Sequence, residues 1–192
     1  MLRIAVLCSG GGTNLQSLID ADKAGALGAE ISLVIASKPD IYALQRATDN
    51  DYPAVVLPRG ERGEIAGILN KNRIDLAVCA GWLVILDRDF FTEFNGDTIN
   101  IHPALLPKYG GLGFYGIRVH EAVLAAGEKV SGATVHYVTE QVDAGPIILQ
   151  KTVPVYAHDT PETLQERVMT AEREILPNAV KLYSMNKLSV QR

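Results

Sequence analysis

Asn100-Ile101-His102-Pro103 sets a carboxamide and an imidazole two residues apart at the end of a β-branched run over 98–102. Side chains alternate along a strand, so Asn100 and His102 share one face while Ile101 packs on the other. At the carboxyl end of an α/β sheet that face meets the ligand crevice. An amide donor beside an imidazole suits acyl transfer. The amide steadies a developing oxyanion, and the imidazole moves or shares a proton. A lone histidine is more often a structural hydrogen-bonder, but two polar residues that end a buried strand before a proline- and glycine-rich loop favour a site.

Ser9-Gly10-Gly11-Gly12-Thr13-Asn14 lies where a first strand turns into a first helix. Glycines let backbone N–H groups approach an anion closely, and a helix N-terminus adds partial positive charge. Gly12, Thr13 and Asn14 are therefore candidates for a phosphate site, with Thr13 or Asn14 expected to cap the helix or meet a phosphate oxygen. A tight turn needing positive φ explains one glycine and not three in a row. The dinucleotide pattern fails, because Leu15 replaces its third glycine and no acid follows the second strand at Ser37-Lys38. The Lys-Ser/Thr pair of a P-loop is missing too, so a monophosphate is expected, and neither NAD nor ATP.

Val142-Asp143-Ala144-Gly145-Pro146 reads as a turn between two strands, for which turn chemistry alone suffices. A catalytic role for Asp143 depends on its reaching His102, which spacing does not show. His136 shares a strand face with Thr134 and Val138 and is as readily a packed residue as a site member. His120 and His158 read as surface or structural. Ser9 precedes its glycines and does not sit between them as in G-x-S-x-G, and Cys8 and Cys79 have no base nearby. No metal-ligand cluster stands out. Direct transfer between two bound substrates remains.

The elements that must hold these residues follow from periodicity. Apolar runs at 3–9, 30–37, 54–58, 76–81 and 98–102 alternate with helical spacing at 14–25, 41–50 and 62–73. That alternation predicts an α/β fold whose N-terminal half is Rossmann-like, a doubly wound, mostly parallel sheet. A long ordered loop over 103–116, a helix from 117 to about 127 and strands at 132–138 and 146–155 imply an antiparallel C-terminal extension. A tail helix opens at Asp159-Thr160-Pro161-Glu162, and Pro177 is expected to interrupt or kink it.

The 192 residues fit a single domain, 1–192, with 47% hydrophobic residues to build its core. A net charge of −4 argues against nucleic acid as partner. The sequence shows no signal peptide and no membrane-length apolar stretch, so a cytoplasmic protein is expected, without membrane partners. The oligomeric state is not legible.

Residues 9–15 (SGGGTNL), 80–86 (AGWLVIL), 100–107 (NIHPALLP) and 142–148 (VDAGPII) together resemble the glycinamide ribonucleotide formyltransferase family of purine biosynthesis. The 100–107 segment is shared with the wider formyltetrahydrofolate-using superfamily; the N-terminal turn narrows the resemblance. It implies a formyltransferase that passes a formyl group from 10-formyltetrahydrofolate, its cosubstrate, to the amine of glycinamide ribonucleotide, with no covalent enzyme intermediate and no metal. It also implies Asn100, His102 and Asp143 as the catalytic trio. Gly12, Thr13 and Asn14 would hold the ribonucleotide phosphate, and Glu172 would bind the ribose-glycinamide part. On its own spacing Glu172 flanks the apolar stripe of Leu164, Val168, Ala171 and Ile175, and a solvated edge carboxylate is the bland alternative. Leu83, Val84, Ile85, Leu86, Asn100 and Arg62 would meet the folate. Val84 stands where many family members carry arginine, and Arg62 or Arg59 would take over that positive charge. The implied mechanism is direct amine attack, with Asn100 and a protonated His102 stabilising the oxyanion and Asp143 favouring the imidazolium. Methionyl-tRNA formyltransferase, a formyltetrahydrofolate deformylase and a non-catalytic phosphate sensor are the rivals. The first two are expected to need additional domains, and the third would not keep the trio.

Overall fold

Near-continuous apolar runs separated by helical segments should form parallel strands buried on both faces. The computed structural model describes residues 1–57 and 63–185 and has that arrangement. Strands β1 (Leu2–Cys8), β2 (Ala29–Ala36), β3 (Ala54–Val56), β4 (Leu76–Cys79) and β5 (Asp97–His102) alternate with helices α1 (Thr13–Lys23), α2 (Tyr42–Asp49), α3 (Glu64–Lys71) and α4 (Arg88–Glu93). Then follow α5 (Ile117–Ala125), β6 (Val130–Tyr137), β7 (Ile147–Pro154) and α6 (Pro161–Ser184). The seven strands lie in the order β3-β2-β1-β4-β5-β6-β7. The first five pair in parallel, and β6 and β7 join antiparallel. This is the doubly wound sheet with antiparallel extension and long tail helix that the sequence predicts. The winding reverses between β1 and β4, which opens a crevice at their carboxyl ends.

Strand alternation sorts two cores. Ile4, Val6 and Cys8 of β1 face α1 and α6, packing with Leu15, Leu18, Leu164 and Val168. Ala5 and Leu7 face α3 and α4, packing with Ile65, Leu69, Phe90 and Phe94. On β5, Ile99 and Ile101 belong to the first core, which turns Asn100 and His102 to the other face.

Two elements differ from expectation. Pro177 lies inside α6 and the helix continues to Ser184. The carbonyl that loses its hydrogen bond there is that of Arg173, an exposed residue, so water can satisfy it. Helix α4 has no counterpart in the periodicity, because six residues are too few to display one; its start is marked by Asp87, whose side chain accepts from the Phe90 N–H at 3.0 Å. No described helix is long and apolar enough to cross a membrane.

The two segments that complete the site are fixed by backbone contacts. Loop 103–116 is fastened to β6, where the Thr134 hydroxyl accepts from Leu106 N–H (3.1 Å) and donates to the Ala104 carbonyl (2.6 Å). The turn between β6 and β7 places Asp143 at φ 55. There Gly145 lies so close to β6 that a Cβ would collide with the Tyr137 carbonyl. Gly145→Ala should therefore cost about 1–3 kcal/mol in chemical denaturation and displace Asp143. An alanine protein of wild-type stability would mean that the turn has room the packing denies.

Candidate active site

A cavity of about 740 Å³ opens at the carboxyl ends of β1, β4 and β5 and takes in the 80–86 segment, loop 103–116, the Asp143 turn and one face of α6. Asn100 and His102 both line it, as strand alternation requires. Asp143 joins them. Its Oδ2 lies 3.5 Å from His102 Nδ1 and accepts from the Gly111 N–H at 2.9 Å, while its Oδ1 lies 3.6 Å from His136 Nε2. Asn100 Nδ2 lies 3.1 Å from the same His136 nitrogen. His136, ambiguous in the sequence, is thus brought into the site by its pairing with Asn100 across β5 and β6.

Carbonyl partners fix the ring hydrogens, since a carbonyl only accepts. His136 Nδ1 donates to the Tyr137 carbonyl at 2.8 Å. Its Nε2 in the neutral ring is then an acceptor for one Asn100 amide hydrogen, leaving the other free. His102 Nε2 donates to the Tyr109 carbonyl at 2.7 Å. That carbonyl is steadied by its own loop: the Tyr109 hydroxyl and Lys108 Nζ both donate to Glu128, at 3.0 and 2.8 Å.

Both nitrogens of His102 therefore face acceptors, an arrangement that suits an imidazolium. Burial nonetheless wins and lowers the His102 pKa, with Asp143 and the Tyr109 carbonyl offsetting it only in part. That direction favours the neutral ring at rest, against a His102 that is protonated from the outset. Burial also pushes the Asp143 carboxyl up, but the two imidazoles it faces, His136 first and then His102, together with the Gly111 N–H outweigh it and hold it below the usual range.

At the other end of the cavity, Gly12 occupies the N-cap of α1 at φ 71, and no side chain caps the helix. Neither Thr13 nor Asn14 takes the capping role open to them, and this uncapped start of the helix lines the cavity. Asn14 instead points its Nδ2 at Glu172 Oε2, 3.0 Å away, while its Oδ1 is buried without a hydrogen-bond partner. Glu172 is only 6% exposed, so it is not the solvated edge carboxylate that spacing allows. Burial pushes its pKa up to about 7 against the pull of Asn14 and Arg173.

The 80–86 segment forms one wall. Val84 and Leu86 are buried, Leu83 and Ile85 half-exposed, and all four line the cavity. Ser9, set aside as a nucleophile, has a positioning task here: its hydroxyl accepts from the Leu83 N–H at 3.0 Å and meets Ser37 Oγ at 2.8 Å. Arg62 and Arg59 lie outside the described residues. His120, read as surface or structural, is 1% exposed and lines the cavity with its Nδ1 unpartnered. The i−4 and i+3 spacing of His120 from Gly116 and Val123 could have put it on the inner face of α5. Among the described residues no group of three or more His, Cys, Asp or Glu could hold a metal ion.

Residues 2–180 match the formyl transferase family. A phosphoribosylglycinamide formyltransferase of Haemophilus influenzae is 39% identical, covering 100% of this chain and 91% of its own length. A chloroplastic phosphoribosylglycinamide formyltransferase of Vigna unguiculata is 36% identical over 93% of this chain, which spans only 60% of that longer protein. The crystal structure of glycinamide ribonucleotide transformylase 1 from Symbiobacterium toebii superposes with a TM-score of 0.92 at 36% identity, covering 100% of this chain and 91% of that one.

The burial of Glu172 has a measurable consequence. A carboxyl whose folded pKa is about 7, against an ordinary 4.5, binds its proton more tightly when folded. It lowers stability progressively as pH rises between those values, by up to about 3 kcal/mol above the upper one. Glu172→Gln keeps an acceptor for Asn14 and removes the charge. Its melting temperature should equal that of wild type near about pH 4 and exceed it near about pH 8. A difference independent of pH would mean that the carboxyl is hydrated.

Proposed function

From the premise that the chain belongs to the formyl transferase family, on the phosphoribosylglycinamide formyltransferase branch, we propose that it transfers a formyl group from 10-formyltetrahydrofolate to the primary amine of glycinamide ribonucleotide. Residues 1–192 act as one formyltransferase domain in this reading, on small-molecule substrates alone. The observation that carries it is the Asn100, His102, Asp143 and His136 constellation, set between an uncapped glycine turn and an apolar wall. A flat pterin fits a slot of the Leu83–Leu86 kind, with few polar contacts. A phosphate fits the first-turn amides of α1, and Glu172 with the spare Asn14 oxygen suits ribose hydroxyls.

10-Formyltetrahydrofolate supplies the carbonyl: a bond forms from the amine nitrogen to the formyl carbon, the bond to folate nitrogen breaks, and one amine proton replaces the formyl group there. Asn100 offers its free amide hydrogen to the oxygen on which negative charge grows. His102, favoured as the neutral ring at rest, becomes a better base as that charge develops beside it, takes the amine proton and yields it to the folate nitrogen as the bond there breaks. Asp143 stabilises the intervening imidazolium across 3.5 Å. No covalent enzyme intermediate is needed, in keeping with the burial that pushes both Cys8 and Cys79 thiols up to about 12.

The direct test is tetrahydrofolate release, followed by absorbance with and without glycinamide ribonucleotide. Release that requires the ribonucleotide supports transfer, whereas equal release without it would point to hydrolysis. Asp143→Asn separates charge from shape, since asparagine tolerates the positive φ of this turn and can still accept from Gly111. Single-turnover transfer should fall by roughly two orders of magnitude or more with little change in melting temperature. The His102 pKa, read by NMR titration, should fall further because its raising partner is gone. Near-native transfer by the asparagine protein would reduce Asp143 to a turn residue.

A further inference from the structure

The cavity offers a phosphorylated ligand no lysine or arginine among its described lining residues, and Glu140, Asp143 and Glu172 make that lining acidic. A guanidinium stands behind its glycine end instead. Arg46, on α2, donates from Nε to the Gly11 carbonyl at 2.9 Å and from Nη1 to Gln16 Oε1 at 2.9 Å. Its guanidinium carbon sits 4.8 Å from the centre of the Tyr42 ring, which steers the fork. The helix that carries it presses on the turn. Ala43 N–H donates to the Gly10 carbonyl at 3.3 Å, and a Cβ on Gly12 would lie 2.8 Å from Ala43 Cβ.

We infer that Arg46 is a positioning residue for the phosphate of the ribonucleotide, acting through the Gly11–Gly12 peptide. The inference rests on the function proposed above. The Gly11 carbonyl and the Gly12 N–H belong to one peptide unit. A charge-assisted bond at its oxygen polarises the unit and makes the N–H at the other end a stronger donor. The same bond holds Gly11 so that the Gly12, Thr13 and Asn14 amides converge at the uncapped start of α1. The buried, unpartnered Asn14 Oδ1 is a second sign that a ligand completes this end of the cavity. Arg46 thus supplies the positive charge that the lining lacks, and does so from outside the ligand's reach.

A structural brace would support every ligand alike; an aid to phosphate binding would not. The readout is therefore the ratio of two affinities, measured by calorimetry: glycinamide ribonucleotide and its dephosphorylated riboside. Arg46→Met should weaken the ribonucleotide about ten- to hundredfold while riboside and folate binding stay near wild type. Arg46→Gln keeps a neutral donor for Gly11 and should lose affinity in the same direction, which preserves the test if the methionine protein folds poorly. A variant that keeps the wild-type ratio overturns the inference, as does equal weakening of ribonucleotide and riboside. Because binding is measured without turnover, a protein that fails to transfer formyl would sink the functional reading and leave this result standing on its own.

Discussion

A carboxylate enclosed by protein keeps its charge only if donors and polarisable or titratable partners replace the water it has lost, and Asp143 is where this fold meets that condition. One oxygen takes the Gly111 N–H and both face imidazoles. Each partner arrives from a different part of the chain: His102 from the last parallel strand, His136 from the first antiparallel one, Gly111 from the loop between them. The positive φ of Asp143 and the bare Cα of Gly145 let the returning turn come close enough. The antiparallel extension thus does more than lengthen the sheet. It carries His136 to Asn100 and delivers Asp143 to the end of β5.

Two carboxyls in one cavity, Glu172 buried and Asp143 partly so, are driven in opposite directions by their neighbours. Burial raises both. Asp143 has the Gly111 N–H and two titratable imidazoles around it, which reverse the effect and hold it below the usual range. Glu172 has one amide from Asn14 and a weaker influence from Arg173, so burial prevails and its pKa reaches about 7. Environments that split like groups in this way assign them different work. A charged group beside the histidines can answer charge that appears during a reaction. A carboxyl near its midpoint can donate to or accept from a hydroxyl, which suits recognition of a neutral diol.

How much of this was legible in the sequence depended on the range of the interaction. The alternation of Ile99, Asn100, Ile101 and His102 is local, so the shared face of the amide and imidazole could be read directly. The same holds for the glycine turn and for the cap of α6, where Thr160 accepts from Thr163 N–H. Contacts between distant segments were not readable. The pairing of His136 with Asn100 spans 36 residues and that of Asn14 with Glu172 spans 158. Nothing in either local pattern announces them, and the resemblance supplied Glu172 and Asp143 where spacing left them open. Burial was the other blind spot. It turned His120 inward, and it lowered the pKa of His102, the ring expected to carry a proton at the oxyanion.

That lowered pKa fits the proposed chemistry better than a permanent imidazolium would. A histidine already charged at rest would stabilise the resting state along with the transition state, and only the difference between them lowers the barrier. Burial disfavours the charged form of His102, yet both its nitrogens already face acceptors, at 2.7 and 3.5 Å. The geometry for the charged form is built before the charge exists. As negative charge grows on the formyl oxygen beside Asn100, the penalty on protonation shrinks and the waiting carboxylate takes effect. Because loop, strand and turn have fixed these dipoles during folding, little reorganisation is left for the reaction itself, which is the condition under which electrostatic stabilisation contributes most.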